Sequence, residues 1–263
     1  MSNIIYVATH FFKYKIFSKH RKGYGIHSPF VYDFVEKVLL NKSNRAFYEQ
    51  NQKYEKELKK NKTNITKIDL GAKKHTTNSN YNTTYSKIAK YSTTPFKYRR
   101  LLSQMVEYYK PELIVEFGTS LGLTTNILSN STDRQIITLE GCPNLHKTAT
   151  ENFLRWGNNN VLAIQTDFDS YVENFTAQQK TVLIYIDGNH SGTATKQYIT
   201  TLWDKIPTDS IIVIGDIYWS KDMTEAWKQI SKPTNNRYSV DLFTLGILFK
   251  RNFCEGQHFH IKY

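Results

Sequence analysis

Cysteine is nearly absent: Cys142 and Cys254 are the only two in 263 residues. So few, so far apart, exclude a disulfide framework and a cysteine-based zinc pattern, and suit a reducing compartment. Long apolar runs are also missing. Ile4, Ile5, Val7, Ala8, Phe11 and Phe12 are soon interrupted by His10, Lys13 and Lys15, which denies them the continuous stretch of a signal peptide or membrane span. A cytoplasmic chain without a membrane span is therefore expected. There is no long low-complexity tract, and 40% hydrophobic with 14% aromatic residues excludes a wholly disordered chain. Acidic residues are scarce at the start, with 21 Lys+Arg against 6 Asp+Glu in residues 1–100 and 14 against 17 thereafter. Such asymmetry fits an arm for nucleic acid, anionic lipid or an acidic partner. It equally fits AT-rich coding, because Lys supplies 27 of 35 basic residues and Asn, Ile, Tyr and Phe abound. Solvated lysine faces are the favoured explanation.

What is present is strand and helix periodicity. Apolar positions at Ile4, Ala8, Phe11, Phe12 and Ile16 predict an amphipathic helix packed on its own domain. In Gly25-Ile26-His27-Ser28-Pro29-Phe30, Ser28 can cap and Pro29 can open a helix running to about Leu40. A charged helix is predicted over 45–60, and then a polar stretch from Asn61 to Thr94 with one short apolar segment, Ile65 to Leu70, expected to be the most mobile region. A helix ending near Lys110-Pro111 follows. Strands at 112–117, 135–140, 161–165, 181–187 and 210–216 then alternate with helices near 120–130, 143–156, 169–178, 192–205 and 220–231, which predicts a mainly parallel sheet covered on both faces. Tyr238 to Lys250 and His258 to Tyr263 read as closely spaced strands forming an antiparallel edge hairpin. The division expected is a basic, helical extension over 1–95 and a ligand-binding α/β domain over 96–263.

The chemistry gathers at strand ends. Glu116-Phe117-Gly118-Thr119-Ser120-Leu121-Gly122 lies where a strand turns into a helix, and its two glycines let backbone approach a ligand. The spacing is not the G-x-G-x-x-G phosphate cradle of nicotinamide dehydrogenases, and its carboxylate suits a cationic ligand better than a pyrophosphate. Glu140 ends the next strand, where a carboxylate can accept both hydroxyls of a ribose, and Gly141 turns the chain. Asp167 can accept from an adenine amino group or cap the following helix; Phe168 can pack on a base or in the core. The fourth strand ends in Asp187-Gly188-Asn189-His190. All these ends share the edge at which open α/β sheets bind ligands. A look-alike, Ile68-Asp69-Leu70-Gly71-Ala72, continues with Lys73, Lys74 and His75 in place of a second glycine and is read as structural.

The set E-F-G-T-S-L-G, L-E-G-C-P, T-D-F and Y-I-D-G-N-H resembles the class I S-adenosylmethionine-dependent methyltransferases over roughly residues 98–251. Nearer still, G-I-H-S-P-F-V-Y, I-V-E-F-G-T-S-L-G-L-T-T and D-I-Y-W-S-K-D-M-T-E-A-W are similar to a bacterial branch with the I-D-G-x-H motif and a helical N-terminal extension. The resemblance implies a Rossmann-like sheet of seven strands, mostly parallel, with an antiparallel C-terminal hairpin. It also implies S-adenosyl-L-methionine contacts at Glu116, Gly118, Thr119, Ser120, Gly122, Glu140, Gly141, Asp167, Phe168 and Asp187. The expected reaction is methyl transfer to a small-molecule hydroxyl, with His190 as base and Asp187 orienting it, near the sulfonium or on a metal. Tyr218 and Trp219 either wall the acceptor pocket or pack in the core. No metal is expected: catechol-type relatives place Asp, then Asp-Asn, at these strand ends, and here Ile217 follows Asp216, removing one oxygen ligand. The bacterial branch also often has Asp and His where Gly215 and Tyr218 stand. Two other readings stay open: a nucleic-acid methyltransferase using the basic N-terminal part, weakened by the lack of an N-P-P-Y type sequence, and a non-catalytic binding module. A homodimer is compatible with either.

Overall fold

The computed structural model of the chain describes residues 2–18, 23–69, 79–252 and 255–263. It comprises two compact units, one of Met1–Asn41 with Phe175–Tyr263 and one of Lys42–Asn174. In chain order the first unit opens with α1 (Ser2–Phe17) and α2 (Pro29–Asp33). The second unit holds α3 (Ala46–Lys60), β1 (Asn64–Asp69), β2 (Ser79–Thr84), α4 (Tyr85–Tyr91), α5 (Phe96–Tyr109), β3 (Leu113–Phe117), α6 (Leu123–Ser129), β4 (Ile136–Glu140), α7 (Pro143–Trp156), β5 (Val161–Gln165) and α8 (Phe168–Asn174). The first unit is completed by β6 (Val182–Ile186), α9 (Gly192–Lys205), β7 (Ile211–Gly215), α10 (Lys221–Ile230), β8 (Arg237–Asp241), β9 (Leu245–Lys250) and β10 (Gln257–His260).

In the second unit β3, β4 and β5 are parallel, with Ile114 opposite Ile136 and Ile136 opposite Val161. Helix α7 covers them because Leu145, Ala149, Phe153 and Trp156 recur at helical spacing and are all buried. Pro143 opens this helix, and Gly157, in the left-handed region at φ 73°, closes it. The polar stretch from Asn61 to Thr94 contains an antiparallel β1–β2 pairing and α4. Ile65 and Ile88 supply the apolar contacts, packing with Leu58, Leu145 and Phe153. The extension is therefore not purely helical. The look-alike segment beyond Asp69, namely Leu70 to His75, lies outside the described residues, as does Cys254.

In the first unit β6 and β7 run parallel, β7 pairs antiparallel with β9, β9 antiparallel with β8, and β8 parallel with β10. The expected antiparallel C-terminal hairpin is thus β8–β9. β3 to β9 supply the seven strands expected, and β10 is an addition. Every residue of Val182–Ile186 and Ile211–Gly215 is buried, which explains their unbroken apolar sequence. Each fully buried Ile or Leu there contributes about 1.5–3 kcal/mol.

Two local departures concern the N-terminus. The helix opened by Ser28, whose Oγ accepts from the Val31 N–H, and by Pro29 begins as expected, but over Phe34–Leu39 it widens into a π-helix. The wider turn brings residues four and five apart into line, so Phe34, Val35, Val38 and Leu39 are all buried. Helix α1 docks by only part of the predicted stripe. Phe11, itself 40% exposed, and Tyr14 pack on Phe243 and His10 lies against Tyr218, while Ala8, Phe12 and Ile16 of the stripe are exposed. The aromatic contacts select the face, a choice periodicity cannot make. Among the described residues no helix is long and apolar enough to cross a membrane.

Candidate functional site

The loop between β3 and α6 is shaped by three residues in the left-handed region, Gly118 (φ 105°), Ser120 (φ 50°) and Gly122 (φ 82°). The Gly118 and Thr119 N–H groups both donate to the Leu139 carbonyl (2.9 and 3.1 Å), clamping the loop to β4. Gly122 is required twice over. Its φ suits glycine, and a Cβ there would stand 2.5 Å from the Phe153 ring. Glu116 is fully buried; its Oε2 accepts from the hydroxyls of Thr125 and Thr138, the latter at 2.6 Å. Because a carboxylate only accepts, the Thr138 proton points to Glu116, and Thr119 must be the donor in its 2.7 Å contact with Thr138. Glu116 thereby ties β3, β4 and α6 into one support for the loop.

Glu140, half-buried at the end of β4, accepts from the Ser120 N–H on Oε2 (2.9 Å) and from the Cys142 N–H on Oε1 (3.0 Å). Burial pushes its carboxyl above the usual range, against the pull of these two amides. Each oxygen keeps a second lone pair. Gly141, also half-buried, separates Glu140 from Cys142. Asp167 takes the capping geometry, its two oxygens accepting from the N–H and hydroxyl of Ser170 (2.9 and 2.8 Å). Phe168, half-buried, meets the Phe117 ring edge-on at 5.2 Å. The loop is braced from α3: Asn51 Nδ2 donates to the Leu123 carbonyl and to Asn126 Oδ1, both at 2.8 Å. Its Oδ1 accepts from buried Arg99 (2.8 Å), which also pairs with Glu55. Nothing in the sequence pattern marks Asn51, since one polar residue in a charged helix carries no period.

In the first unit, Asp187, Asn189 and His190 follow β6, and Asp216 follows β7. Gly215 makes room for Asp187: a Cβ on it would stand 2.3 Å from Asp187 Oδ1. Burial, and then the negative charge of Asp187, raise the Asp216 carboxyl to about 6, with His190 pulling the other way. His190 Nε2 is 4.0 Å from Asp216 Oδ2, too far for a hydrogen bond but close enough for charge to matter. Asn189 holds the turn by donating to the Tyr198 hydroxyl (2.9 Å). Trp219, 47% exposed, lies 5.8 Å from the His190 ring. Tyr218 instead stacks on Phe243 and donates to Asp241, and Ile217 is fully buried. Two carboxylates and an imidazole with a group titrating near neutrality can move a proton at physiological pH.

Residues 115–217 match the family model for a methyltransferase domain. No curated protein matches the chain in sequence. Among solved structures, the SAH-bound methyltransferase PaMTH1 of Podospora anserina superposes with a TM-score of 0.56 at 14% identity, covering 81% of this chain and 100% of that one. The O-methyltransferase of Bacillus cereus in complex with SAH gives 0.51 at 14% identity, covering 84% and 97%. O-methyltransferase TomG of Streptomyces achromogenes, involved in tomaymycin synthesis and in complex with SAM, gives 0.51 at 11% identity, covering 61% and 82%. At such identities the likeness is one of fold: the Rossmann-like class I methyltransferase fold.

Proposed function

We propose that this chain, a methyltransferase domain on a class I methyltransferase fold, uses S-adenosyl-L-methionine to methylate a hydroxyl of a small molecule. The observation that carries the cofactor reading is Glu140. Two backbone amides fix its carboxylate, and one lone pair on each oxygen remains for the two hydroxyls of a ribose. The Gly118 to Gly122 loop, Gly141, Asp167 and Phe168 complete the set of contacts in the second unit, with Thr119 and Ser120 as loop residues and Glu116 as the brace beneath them. When bound, the cofactor offers an electrophilic methyl group on a sulfonium.

The acceptor reading rests on the cluster at the ends of β6 and β7. A hydroxyl nucleophile must lose its proton, and a neutral imidazole can take it. His190 is that base. The carboxylate of Asp216, 4.0 Å away, offsets the charge His190 gains, and Asp187 adds a second negative charge felt by Asp216. Positioning supplies the rest of the rate.

Calorimetry with S-adenosylhomocysteine and its 2′-deoxy analogue tests the first half. The wild-type chain should prefer the ribose form about tenfold or more, the worth of one hydrogen bond to a charged group, and Glu140→Ala should lose that preference. Equal affinities in both proteins would remove the Glu140 assignment. For the second half, turnover on a panel of phenols and catechols should collapse in His190→Ala with cofactor affinity intact; undiminished turnover would rule out His190 as the base.

A further inference from the structure

We infer that His258 and His260, with Asp241 orienting His260, form a binding site for one divalent transition-metal ion of the zinc class at the seam of β10 and β8. The site lies wholly in the first unit and is independent of the methyl-transfer residues. The sequence carries half the signal. Residues two apart on a strand share a face, so His258 and His260 project together from β10. The other half comes only from pairing: the parallel register sets His260 opposite Asp241 and His258 opposite Ser239.

The two imidazoles are spaced for shared coordination, with His258 Nε2 3.2 Å from His260 Nε2, while the other ring nitrogen of His260, Nδ1, lies 3.3 Å from Asp241 Oδ2. Zinc bonds of about 2.0–2.2 Å at a tetrahedral angle place two ligand atoms about 3.3–3.5 Å apart. One ligand atom from each of the three residues can be chosen so that all lie within 4.8 Å of one another.

Counting hydrogens gives the same answer. The Ser239 hydroxyl donates to the Ser231 carbonyl at 2.8 Å, so its lone pair must accept from His258 Nδ1, also at 2.8 Å. That assigns the His258 hydrogen to Nδ1 and leaves a lone pair on Nε2, directed at His260. An orienting contact on the far nitrogen is what a metal-ligating histidine needs. His260 then stands between two acceptors, the His258 lone pair and the Asp241 carboxylate, while a neutral imidazole has a single N–H to give. A cation between the two Nε2 atoms, in place of a second proton on His260, resolves the mismatch and leaves the His260 Nδ1–H for Asp241. Asp241 is fully buried and held by the Phe243 N–H on Oδ1 and by the Tyr218 hydroxyl and Trp227 indole N–H on Oδ2. It thus orients the His260 ring, as a carboxylate behind a metal-bound histidine does. Two imidazoles favour Zn²⁺, Co²⁺, Ni²⁺ or Cu²⁺ over Mg²⁺ or Ca²⁺. Because His260 is half exposed, water can complete the coordination.

Full-length protein stripped with EDTA and titrated with Co²⁺ should develop a visible d–d band saturating at one ion per chain, and Zn²⁺ should abolish that band by displacement. His258→Gln and His260→Gln should each remove the stoichiometric site. Ser239→Ala, which leaves both histidines and Asp241 in place, should weaken binding about ten- to hundredfold. His260 is at the exposed end of the cluster, so His260→Gln tests the site even should His258→Gln not fold; circular dichroism checks both. Absence of a cobalt band, or a band that survives both glutamine variants, overturns the proposal. So does histidine NMR that Zn²⁺ leaves unchanged, which would make the cluster a proton-bridged pair only.

Discussion

Replacing Asn51 by leucine should destabilise the chain by about 1.5–5 kcal/mol, although the two side chains are close in size. The side chain is fully buried and makes three hydrogen bonds, two as donor to Leu123 and Asn126 and one as acceptor from Arg99. The bond from the guanidinium is worth about 1.5–3 kcal/mol and the two neutral ones about 0.5–1.5 kcal/mol each. Burying leucine instead of an amide returns about 1 kcal/mol of that sum. Asn51→Asp keeps an acceptor for Arg99 but sets its second oxygen against the Leu123 carbonyl and Asn126 Oδ1, two acceptors it cannot satisfy, so it should also destabilise. Urea unfolding at pH 7, followed by circular dichroism and tryptophan fluorescence, measures both values. Because α6 begins at Leu123, next to Gly122, cofactor affinity should fall in both variants. A leucine or aspartate variant within about 1 kcal/mol of wild type would refute the claim that Asn51 joins Arg99 to the start of α6.

Gly122→Ala forces a side chain into the left-handed region, about 1–2 kcal/mol, and against the Phe153 ring, about 1–3 kcal/mol more. Adding Phe153→Leu should recover only the second part in a double-mutant cycle, and simple additivity of the two substitutions would show that they do not meet. Asp216 has a carboxyl raised to about 6 by burial and by Asp187. Its folded value thus lies above its unfolded one, and its contribution is complete below about pH 4 and lost as pH rises through about 6. Asp216→Asn, which stays neutral, should therefore gain stability relative to wild type between those limits. The gain should be under about 1 kcal/mol after solvent screening, since the side chain is 39% exposed. Urea unfolding at pH 4.5 and pH 7 reads the difference, and a gain that grows toward low pH contradicts the assignment.

Much of this molecule is written locally. The parallel strands are legible because Leu113–Phe117, Val182–Ile186 and Ile211–Gly215 are short apolar runs, and burial on both faces demands such runs. Helix α7 is legible from Pro143, its apolar spacing and Gly157, each acting within a turn of its own position. The strand-end residues Glu116, Glu140, Asp167, Asp187 and His190 are legible for the same reason: a strand that ends in a polar residue or glycine shows its end in sequence. Their partners do not show. Whether Asp167 accepts from a ligand or caps a helix depends on where the Ser170 hydroxyl turns, and the sequence admits both.

Tertiary structure decided whatever depends on contacts across long separations in sequence. It chose Phe11 with Tyr14 and His10 as the docking face of α1 in place of the whole stripe through Phe12 and Ile16, because Phe243 and Tyr218 are there to receive them. Between Asn61 and Thr94 it paired two polar strands that have little apolar alternation to announce them. It gave Gly122 a second reason to be glycine, the ring of Phe153. And it brought Asp241 to His258 and His260 through the register of β8 and β10. Periodicity reports which face a residue occupies on its own element; it carries no information about which element that face will meet, and packing and pairing supply that.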